Sequence, residues 1–513
     1  MKTIIRASIV ATMALSVVSG TVLSDKLSTL ELELEDLKNQ VEKQNKKLNK
    51  VKAHDANDNI KWGVDFRTAI DNINYDLANG ESAGKSDLMS MRLWLNMEFA
   101  PDEKNIFKGQ LSMNKAFGAD FGSPNNRNFS LGGQFDWTGN EALTDTSLKV
   151  RQAYWLYLGD TFFGADIPWT FSVGRRPSTN GFLANLRDDD TAASPLAHVI
   201  NVEFDGLSSK LDLSNITNIP GMSIKLCMGQ GSTNAQPLFE TPTPYANGDS
   251  SGIEDISLAG FIFEPYNDGQ FIVKSTWYKA FDLPGMDMNQ DGSPTEFRQF
   301  GDMQGAALSI LIDGLTEDGY FSDAKMFGSF AWSKTDPKIG NSMLGSSESE
   351  TGTSYWVGTQ LPVTESGVLG LEFNHGSQYW RPFTYAEDTM IGSKIAVRGD
   401  AVEAYFTYQL TDALSAQIRY TKIDYDYTGS NGFFGNYSGN SVKISDIKSG
   451  AEIFDQMAQS GVIQSQDQAG IVGDLMGAGL TQEQAEGVLI AKGMSSQVVE
   501  SAQNLRFYIR YRF

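Results

Sequence analysis

Hydrophobic and polar residues alternate strictly over residues 504–513 of the chain. One parity is apolar or aromatic and consists of Leu505, Phe507, Ile509, Tyr511 and Phe513. The other parity is mostly cationic and consists of Arg506, Tyr508, Arg510 and Arg512. Because successive side chains of a strand point to opposite faces, this pattern predicts a strand with one apolar and one cationic face. A soluble β-sandwich could bury the apolar face, but a transmembrane barrel strand accommodates both faces, with lipid outside and water inside.

The same alternation recurs from residue 61 onward, in segments separated by turns. It predicts sixteen strands, near residues 61–70, 89–99, 106–116, 148–158, 168–174, 206–214, 222–229, 253–264, 270–280, 304–312, 322–333, 353–361, 367–375, 397–410, 414–424 and 504–513. Short connectors such as 265–269 alternate with long loops rich in Gly, Ser and Asn, as in outer-membrane barrels. The predicted fold is therefore all-β: a 16-stranded antiparallel transmembrane β-barrel over residues 61–513, wide enough for an aqueous lumen. Two soluble β-domains are the alternative.

The first twenty residues have the features of a secretory signal peptide. Lys2 and Arg6 precede an apolar run over residues 7–18, and Ser19 and Gly20 offer small residues for cleavage. A membrane anchor is the alternative. No other long apolar segment follows, so a mature chain held in a membrane would have to cross it as a barrel. The predicted location is the cell outer membrane, with both termini in the periplasm because the strand count is even.

Residues 25–53 carry a heptad pattern. Apolar residues recur with 3,4 spacing over four heptads, with Gln44 at one core position and charged residues between them. This spacing predicts a short periplasmic coiled coil, and a stripe this narrow favours self-association into a homo-oligomer. A single amphipathic helix is the alternative. In the coiled coil, Gln44 would act as a register or oligomer-state device.

Residues 443–503 differ from the strands around them. Ile447, Ala451, Phe454 and Ala458 have helical spacing, and Thr481 with Gln484 resembles a capping box. The pattern predicts a helical insert in the last outer loop, before the final strand. Such an insert could plug the pore, bind an external partner or form a small surface subdomain.

Strand parity predicts which side chains face the lumen. The inward cations are Arg67, Arg92, Lys149, Arg151, Arg419, Arg506, Arg510 and Arg512, with Trp155 and Tyr157 also inward on the fourth strand. Arginine facing lipid at mid-depth would cost about 2–4 kcal/mol, which favours the lumen assignment. Because the last strand pairs with the first in a closed barrel, most of these cations share one wall. They could set a field that selects solutes, or pair with Asp65, Glu98, Glu403 or loop carboxylates to stiffen the wall.

Two short motifs carry a resemblance to known proteins. Residues 174–181 read G-R-R-P-S-T-N-G and residues 204–207 read F-D-G-L. With the final strand ending in Phe513, they make the chain resemble bacterial outer-membrane porins, and more closely an uncharacterised porin-like outer-membrane β-barrel family with an N-terminal coiled coil. The chain departs from general porins in that coiled coil and in the insert.

The resemblance implies a third outer loop folded into the barrel as a constriction. The residues that would form it are Arg175, Arg176, Asp188, Asp189 and Asp190. The alternative for the three aspartates is an exposed acidic loop. The resemblance also implies a trimer, surrounded by the lipid bilayer and lipopolysaccharide.

The composition of the chain limits which partners and which kinds of chemical site it can have. The net charge of −22 argues against nucleic acid as a partner. A single cysteine excludes an internal disulfide, and three histidines exclude most histidine-based metal sites and triads. Asp287, Asn289 and Asp291 match the start of a calcium loop, but Arg298 stands where the bidentate acid is needed, so a plain polar loop is the alternative. No cofactor is implied.

Together these features predict a porin that passes small hydrophilic solutes or ions by passive diffusion, and not an enzyme. The first alternative is a structural surface protein whose lumen is closed by the helical insert. The second is an outer-membrane hydrolase that uses His198 or His375, although neither histidine has a nucleophile at a diagnostic spacing.

Overall fold

The computed structural model describes residues 60–118, 143–176, 179–201, 203–235, 245–246, 254–288, 294–316, 318–319, 321–384, 390–430 and 440–513. The predicted signal peptide (1–20) and coiled coil (25–53) lie outside the described residues and stay predictions. So does the calcium motif, because Asn289 and Asp291 fall in an undescribed segment.

Sixteen antiparallel strands form one closed barrel, in which each strand pairs with its neighbours in chain order and the last pairs with the first. The strands are β1 Lys61–Leu77, β2 Ser82–Phe99, β3 Asn105–Ala116, β4 Lys149–Gly159, β5 Trp169–Arg176, β6 Phe204–Asp212, β7 Ser223–Ser232, β8 Ile256–Asn267, β9 Phe271–Met288, β10 Pro294–Asp313, β11 Lys325–Pro337, β12 Thr351–Thr364, β13 Gly367–Gly376, β14 Gly399–Thr411, β15 Leu414–Tyr425 and β16 Val499–Arg512. Each predicted strand overlaps one of these, which confirms the predicted fold.

The outer face of the barrel is apolar. Ile70, Phe507 and Ile418 stand side by side in the register of β1, β16 and β15, and they are 41%, 44% and 49% exposed. Soluble monomers rarely expose a contiguous apolar belt of this kind, whereas lipid covers it in a membrane barrel. Among the helices that are described, none combines the length and apolarity needed to cross a membrane.

Among the described loop residues, those of two loops fold into the lumen. Loop three (residues 177–203, between β5 and β6) contains the short strands Gly181–Phe182, Ala193–Leu196 and Ile200–Asn201 and the 3-10 helix Ala184–Asp188. Loop seven (residues 377–398, between β13 and β14) contains the short strand Phe383–Thr384, which pairs in parallel with Ile200–Asn201. Backbone pairing therefore joins the two loops to each other.

These loops bury a hydrophobic core inside the barrel. Leu183, Leu196 and Val199 of loop three are 0% exposed, and so is Trp380 of loop seven. They pack with inward-facing apolar side chains of β8–β12, among them Tyr278 and Phe300. This half of the lumen is thus filled as the core of a soluble protein is filled, which strand alternation did not predict.

The predicted helical insert is present, as α1 Ile444–Gln459, α2 Gln468–Gly477 and α3 Gln482–Ser495. The capping box also forms: Thr481 Oγ1 accepts from the Gln484 backbone N–H, and Gln484 Oε1 accepts from the Thr481 backbone N–H. The helices share a small core around Leu475, and α1 packs on the β1–β2 turn at Ala78. They therefore stand on the barrel rim, and β16 begins at Val499, a few residues earlier than predicted.

The predicted side-chain directions are wrong for the part of β4 that follows Arg151. In the pairing of β3 with β4, Gln110 lies opposite Gln152 but Leu111 lies opposite Val150, so Arg151 is an extra residue in a β-bulge. A bulge shifts every later side chain to the other face. Trp155 consequently points outward, 42% exposed and in ring contact with Phe171, and Tyr157 lies on the same face, whereas the sequence predicts that both face the lumen.

Phe507→Arg is expected to lower the free energy of unfolding from lipid vesicles by about 2–4 kcal/mol, because Phe507 lies mid-strand on the lipid-facing side. The matched control is Tyr511→Arg, on the same face near the strand end, where the cost should be about 0–1 kcal/mol. Denaturant titration followed by tryptophan fluorescence measures both changes. Equal losses in the two variants would contradict a lipid-covered face.

Candidate functional site: the charged lumen

Buried ion pairs line the wall formed by β16, β1 and β2. Arg510 Nε donates to Asp65 Oδ1 at 2.9 Å, and Arg92 Nη2 lies 3.5 Å from Asp65 Oδ2. Arg506 Nε donates to Asp71 Oδ1 at 2.8 Å. These five side chains are at most 5% exposed. The predicted arginines thus face inward here, but strand carboxylates between them compensate their charge.

Glu403 on β14 is the centre of a second network. Its carboxylate contacts Lys394 of loop seven, Arg187 of loop three at 3.3 Å and Arg419 of β15 at 4.0 Å. Lys394 Nζ also lies 2.6 Å from Glu372 Oε2 on β13. One strand carboxylate therefore ties both loops to the wall.

The acidic tip of loop three reaches the arginines of β16. Tyr508 donates to Asp188 Oδ1 at 2.7 Å, and Arg510 Nη2 lies 2.6 Å from Asp190 Oδ1. Arg512 lies 3.1 Å from Asp189, whose side chain is 89% exposed. The carboxylates of the loop touch the arginine wall, so no opening separates the two groups in this structure.

The other predicted lining cations take different surroundings. Arg151 Nε lies 3.2 Å from Glu203 of loop three, and its guanidinium lies 4.2 Å from the Trp94 ring centroid. Arg67 lies over the Tyr508 ring at 5.3 Å. Lys149 begins β4 and is half-buried.

The two arginines assigned to the constriction, Arg175 and Arg176, end β5 and point to opposite faces. Arg175 takes the outward parity, donates to the Val150 carbonyl and pairs with Asp205 at 3.2 Å. Arg176 points inward, with its guanidinium 4.5 Å from the Tyr154 ring centroid. Arg175 is therefore not near the loop-three aspartates.

Amide side chains of the wall hold the backbone of loop three. Gln360 Nε2 of β12 donates to the Leu186 carbonyl at 2.7 Å, and Gln417 Nε2 of β15 donates to the Arg187 carbonyl at 2.9 Å. Sequence reasoning missed both glutamines, together with Arg187, Glu372 and Lys394. The sequence around a single polar residue does not indicate which distant residue its side chain contacts.

His198 connects loop three to β11 and β12. Its Nδ1 lies 2.8 Å from Ser329 Oγ and its Nε2 lies 2.8 Å from Ser354 Oγ. The residue is 1% exposed, and burial lowers its pKa to about 3, so the ring is neutral at ordinary pH. Imidazole–hydroxyl pairs can activate a nucleophile, but these are sealed from solvent and serve to anchor the loop.

The second histidine considered for catalysis, His375, lies near the loop end of β13. Its Nδ1 lies 2.7 Å from Asp400 Oδ1, and the ring stacks on Tyr355. No group of three or more His, Cys, Asp or Glu side chains is arranged to hold a metal ion among the residues described.

The lumen therefore has two chemically different halves. Apolar packing joins the loops to β8–β12, whereas ion pairs and hydrogen bonds join loop three to β14, β15, β16 and β4. We call the second contact the charged seam. It contains Arg151, Arg510 and Arg512, three of the eight cations that strand parity singled out, and Glu403 connects it to a fourth, Arg419.

The fold is that of a closed, sixteen-stranded antiparallel β-barrel with a lipid-compatible outer surface. The chain belongs to the family described as "Protein of unknown function (DUF3373)", whose model matches residues 83–468. A search of curated proteins gave no match.

Solved structures that the chain is similar to include outer-membrane proteins. They include OmpF of Salmonella typhi in complex with daunomycin (10% identity, 90% of this chain and 99% of that chain, TM-score 0.44). OprB of Pseudomonas putida shows 11% identity over 88% of this chain and 94% of that chain, with a TM-score of 0.44. The trimer form of OmpT of Vibrio cholerae shows 12% identity over 88% of this chain and 99% of that chain, with a TM-score of 0.40. At these scores the fold assignment depends on the strand pairing of the chain itself.

Glu403→Gln is expected to lower the free energy of unfolding by about 3–5 kcal/mol, because it leaves buried cations without their shared counter-charge. Glu98→Gln is the matched control: Glu98 pairs with Lys108 at 3.0 Å, but its side chain is 41% exposed. That change should cost about 0–1 kcal/mol. Denaturant unfolding of the refolded proteins measures both, and a neutral Glu403→Gln would contradict the role of the network.

Proposed function

We propose that the protein is an outer-membrane channel for passive diffusion of small hydrophilic solutes or ions, with its path along the charged seam. The observation that carries the proposal is that loop three meets β14–β16 through paired charges. A contact made of charges can be opened to water without exposing apolar surface.

The energetics of the two halves support this path. Desolvation offsets much of the attraction in a buried ion pair, so separating one pair into water costs about the 1.5–3 kcal/mol of a charged hydrogen bond and not its full Coulombic attraction. Separating the apolar half would cost about 25 cal/mol for each Å² of apolar surface exposed. Loop three therefore pivots on its apolar contacts with β8–β12, and the seam opens first.

The seam also suggests a charge preference. With the loop-three aspartates in contact, the wall is close to neutral. When they withdraw, β1, β2 and β16 present Arg67, Arg92, Arg506 and Arg510 against Asp65 and Asp71, which leaves a positive surplus. The open path is expected to favour anions.

The proposed location and oligomeric state of the channel follow the sequence predictions. We propose an outer-membrane location with both termini in the periplasm, and a bilayer and lipopolysaccharide environment. Self-association, with a trimer favoured, would use the coiled coil of residues 25–53. The channel needs no cofactor and no catalysis.

A structural role with a closed lumen is the second candidate. The apolar core that joins both loops to β8–β12 favours it, because such a core does not open in water. In this candidate loops three and seven close the lumen, and the helical insert stands on the rim.

Asp190→Asn is expected to increase open-channel events in planar bilayers. It removes the charge that Arg510 and Arg512 contact, and a charged hydrogen bond is worth about 1.5–3 kcal/mol, so the open-to-closed ratio should rise more than tenfold. The reversal potential under a salt gradient should move toward the anion value. Single-channel recording of the refolded full-length protein measures both quantities.

The control is Asp205→Asn, which removes an ion pair with Arg175 outside the lumen and should leave conductance unchanged. If neither wild type nor Asp190→Asn conducts while circular dichroism confirms folded barrels, the channel is excluded and the structural role remains. If both aspartate variants open equally, the seam is not the path.

A further inference from the structure

A cavity of about 60 Å³ lies between loop three and the inner face of β6–β9, across the barrel from the charged seam. Its apolar walls include Ile200, Phe204 and Ile262. Arg176 and Lys225 also line it. A small apolar cavity that contains two cations is unusual, because charge in an apolar setting is costly unless it is paired.

Among the described residues, the cations of this cavity have no carboxylate partner. Lys225 Nζ donates to Ser194 Oγ at 2.6 Å, and Arg176 Nη2 donates to Ser208 Oγ at 3.2 Å. Within the part of the chain that is described, neither forms an ion pair, nor does Lys210, which lies directly opposite Lys225 in the register. The neighbouring Lys274, in contrast, pairs with Glu264 at 3.2 Å.

Polar atoms around the cavity also lack hydrogen-bond partners. Arg176 Nη1 and Thr276 Oγ1 are buried atoms without a partner in the described structure, and Thr276 is 3% exposed. Leaving such a group unsatisfied costs about 1–3 kcal/mol. A ligand oxygen at this position would satisfy these donors.

We propose that this cavity binds the carboxylate of a small organic acid, with Arg176, Lys225 and Thr276 around the carboxylate and the apolar walls around a short hydrocarbon chain. The surplus positive charge requires an anion, and the apolar walls favour an anion that carries hydrocarbon. The volume limits the chain to a few carbons. The site lies away from the charged seam and does not depend on conduction.

Cys227 provides a chemical probe of ligand binding in this cavity. It is the single cysteine of the chain, it lines the cavity, and it shares a strand face with Lys225. The rate at which a methanethiosulfonate reagent labels Cys227 in folded, detergent-solubilised, full-length protein reports access to the cavity. Butyrate is the probe ligand, and butanamide is its neutral match in size and shape.

Butyrate should slow the labelling of Cys227 in a saturable manner, and butanamide should not. A reagent that carries a sulfonate should react about tenfold or more faster than one that carries a trimethylammonium group, because the cavity attracts anions. Lys225→Met and Arg176→Gln should each lose the protection and reduce the preference. Arg175→Gln, the adjacent arginine on the outer face, should retain both.

Circular dichroism and heat-modified gel mobility verify that each variant is folded. Equal protection by butyrate and butanamide would show an apolar cavity without an anion site and overturn the proposal. Protection that survives Lys225→Met and Arg176→Gln would overturn it as well. If Cys227 does not react in the native barrel, calorimetric titration of the wild type with butyrate decides, and the absence of saturable heat overturns the proposal. Because the readout is not conductance, failure here leaves the channel proposal standing, and the reverse also holds.

Discussion

The pairing of β16 with β1 is the constraint on which the rest of the structure depends. In a membrane every backbone N–H and C=O must find a partner within the protein, and a sheet satisfies this only when it closes. The register of this pairing also determines which way the side chains point. Phe507 faces lipid, and Arg506 and Arg510 face Asp71 and Asp65. The barrel wall and the charged lumen are thus two consequences of one pairing.

The interior that closure creates is too wide for strand side chains to fill. Loops three and seven fill it, and they do so as one unit because Phe383–Thr384 pairs with Ile200–Asn201. The unit is asymmetric: it packs on β8–β12 through Trp380, Leu183 and their apolar neighbours, and it meets β14–β16 through charge. Apolar contacts fix the loops on one side of the lumen. On the other side the contacts are ionic, and water can replace them.

Charge is distributed unevenly across this interior, and the distribution separates two roles. At the seam almost every arginine has a carboxylate, as Glu403 and Asp65 illustrate, so the charges support structure until they separate. On the opposite wall, Arg176 of β5 and Lys225 of β7 have, among the described residues, hydroxyl partners instead of carboxylates. Buried cations without counter-ions are costly unless a ligand supplies the charge, which is why the second wall points to binding.

The sequence by itself determined the number of strands, their approximate positions, the direction of most side chains and the presence of the helical insert. These are local properties. Every second side chain of a strand faces lipid, and the capping box of Thr481 and Gln484 spans four residues. The bulge at Arg151, which turns Trp155 outward, is seen only in the tertiary structure. The alternation of residue types does not show where an extra residue shifts the register. The tertiary structure also decided the entry of loop seven, the apolar filling against β8–β12 and the partners of Arg187 and Lys394. These contacts join residues far apart in the chain, such as Arg187 and Glu403, and no local pattern encodes which buried charge meets which.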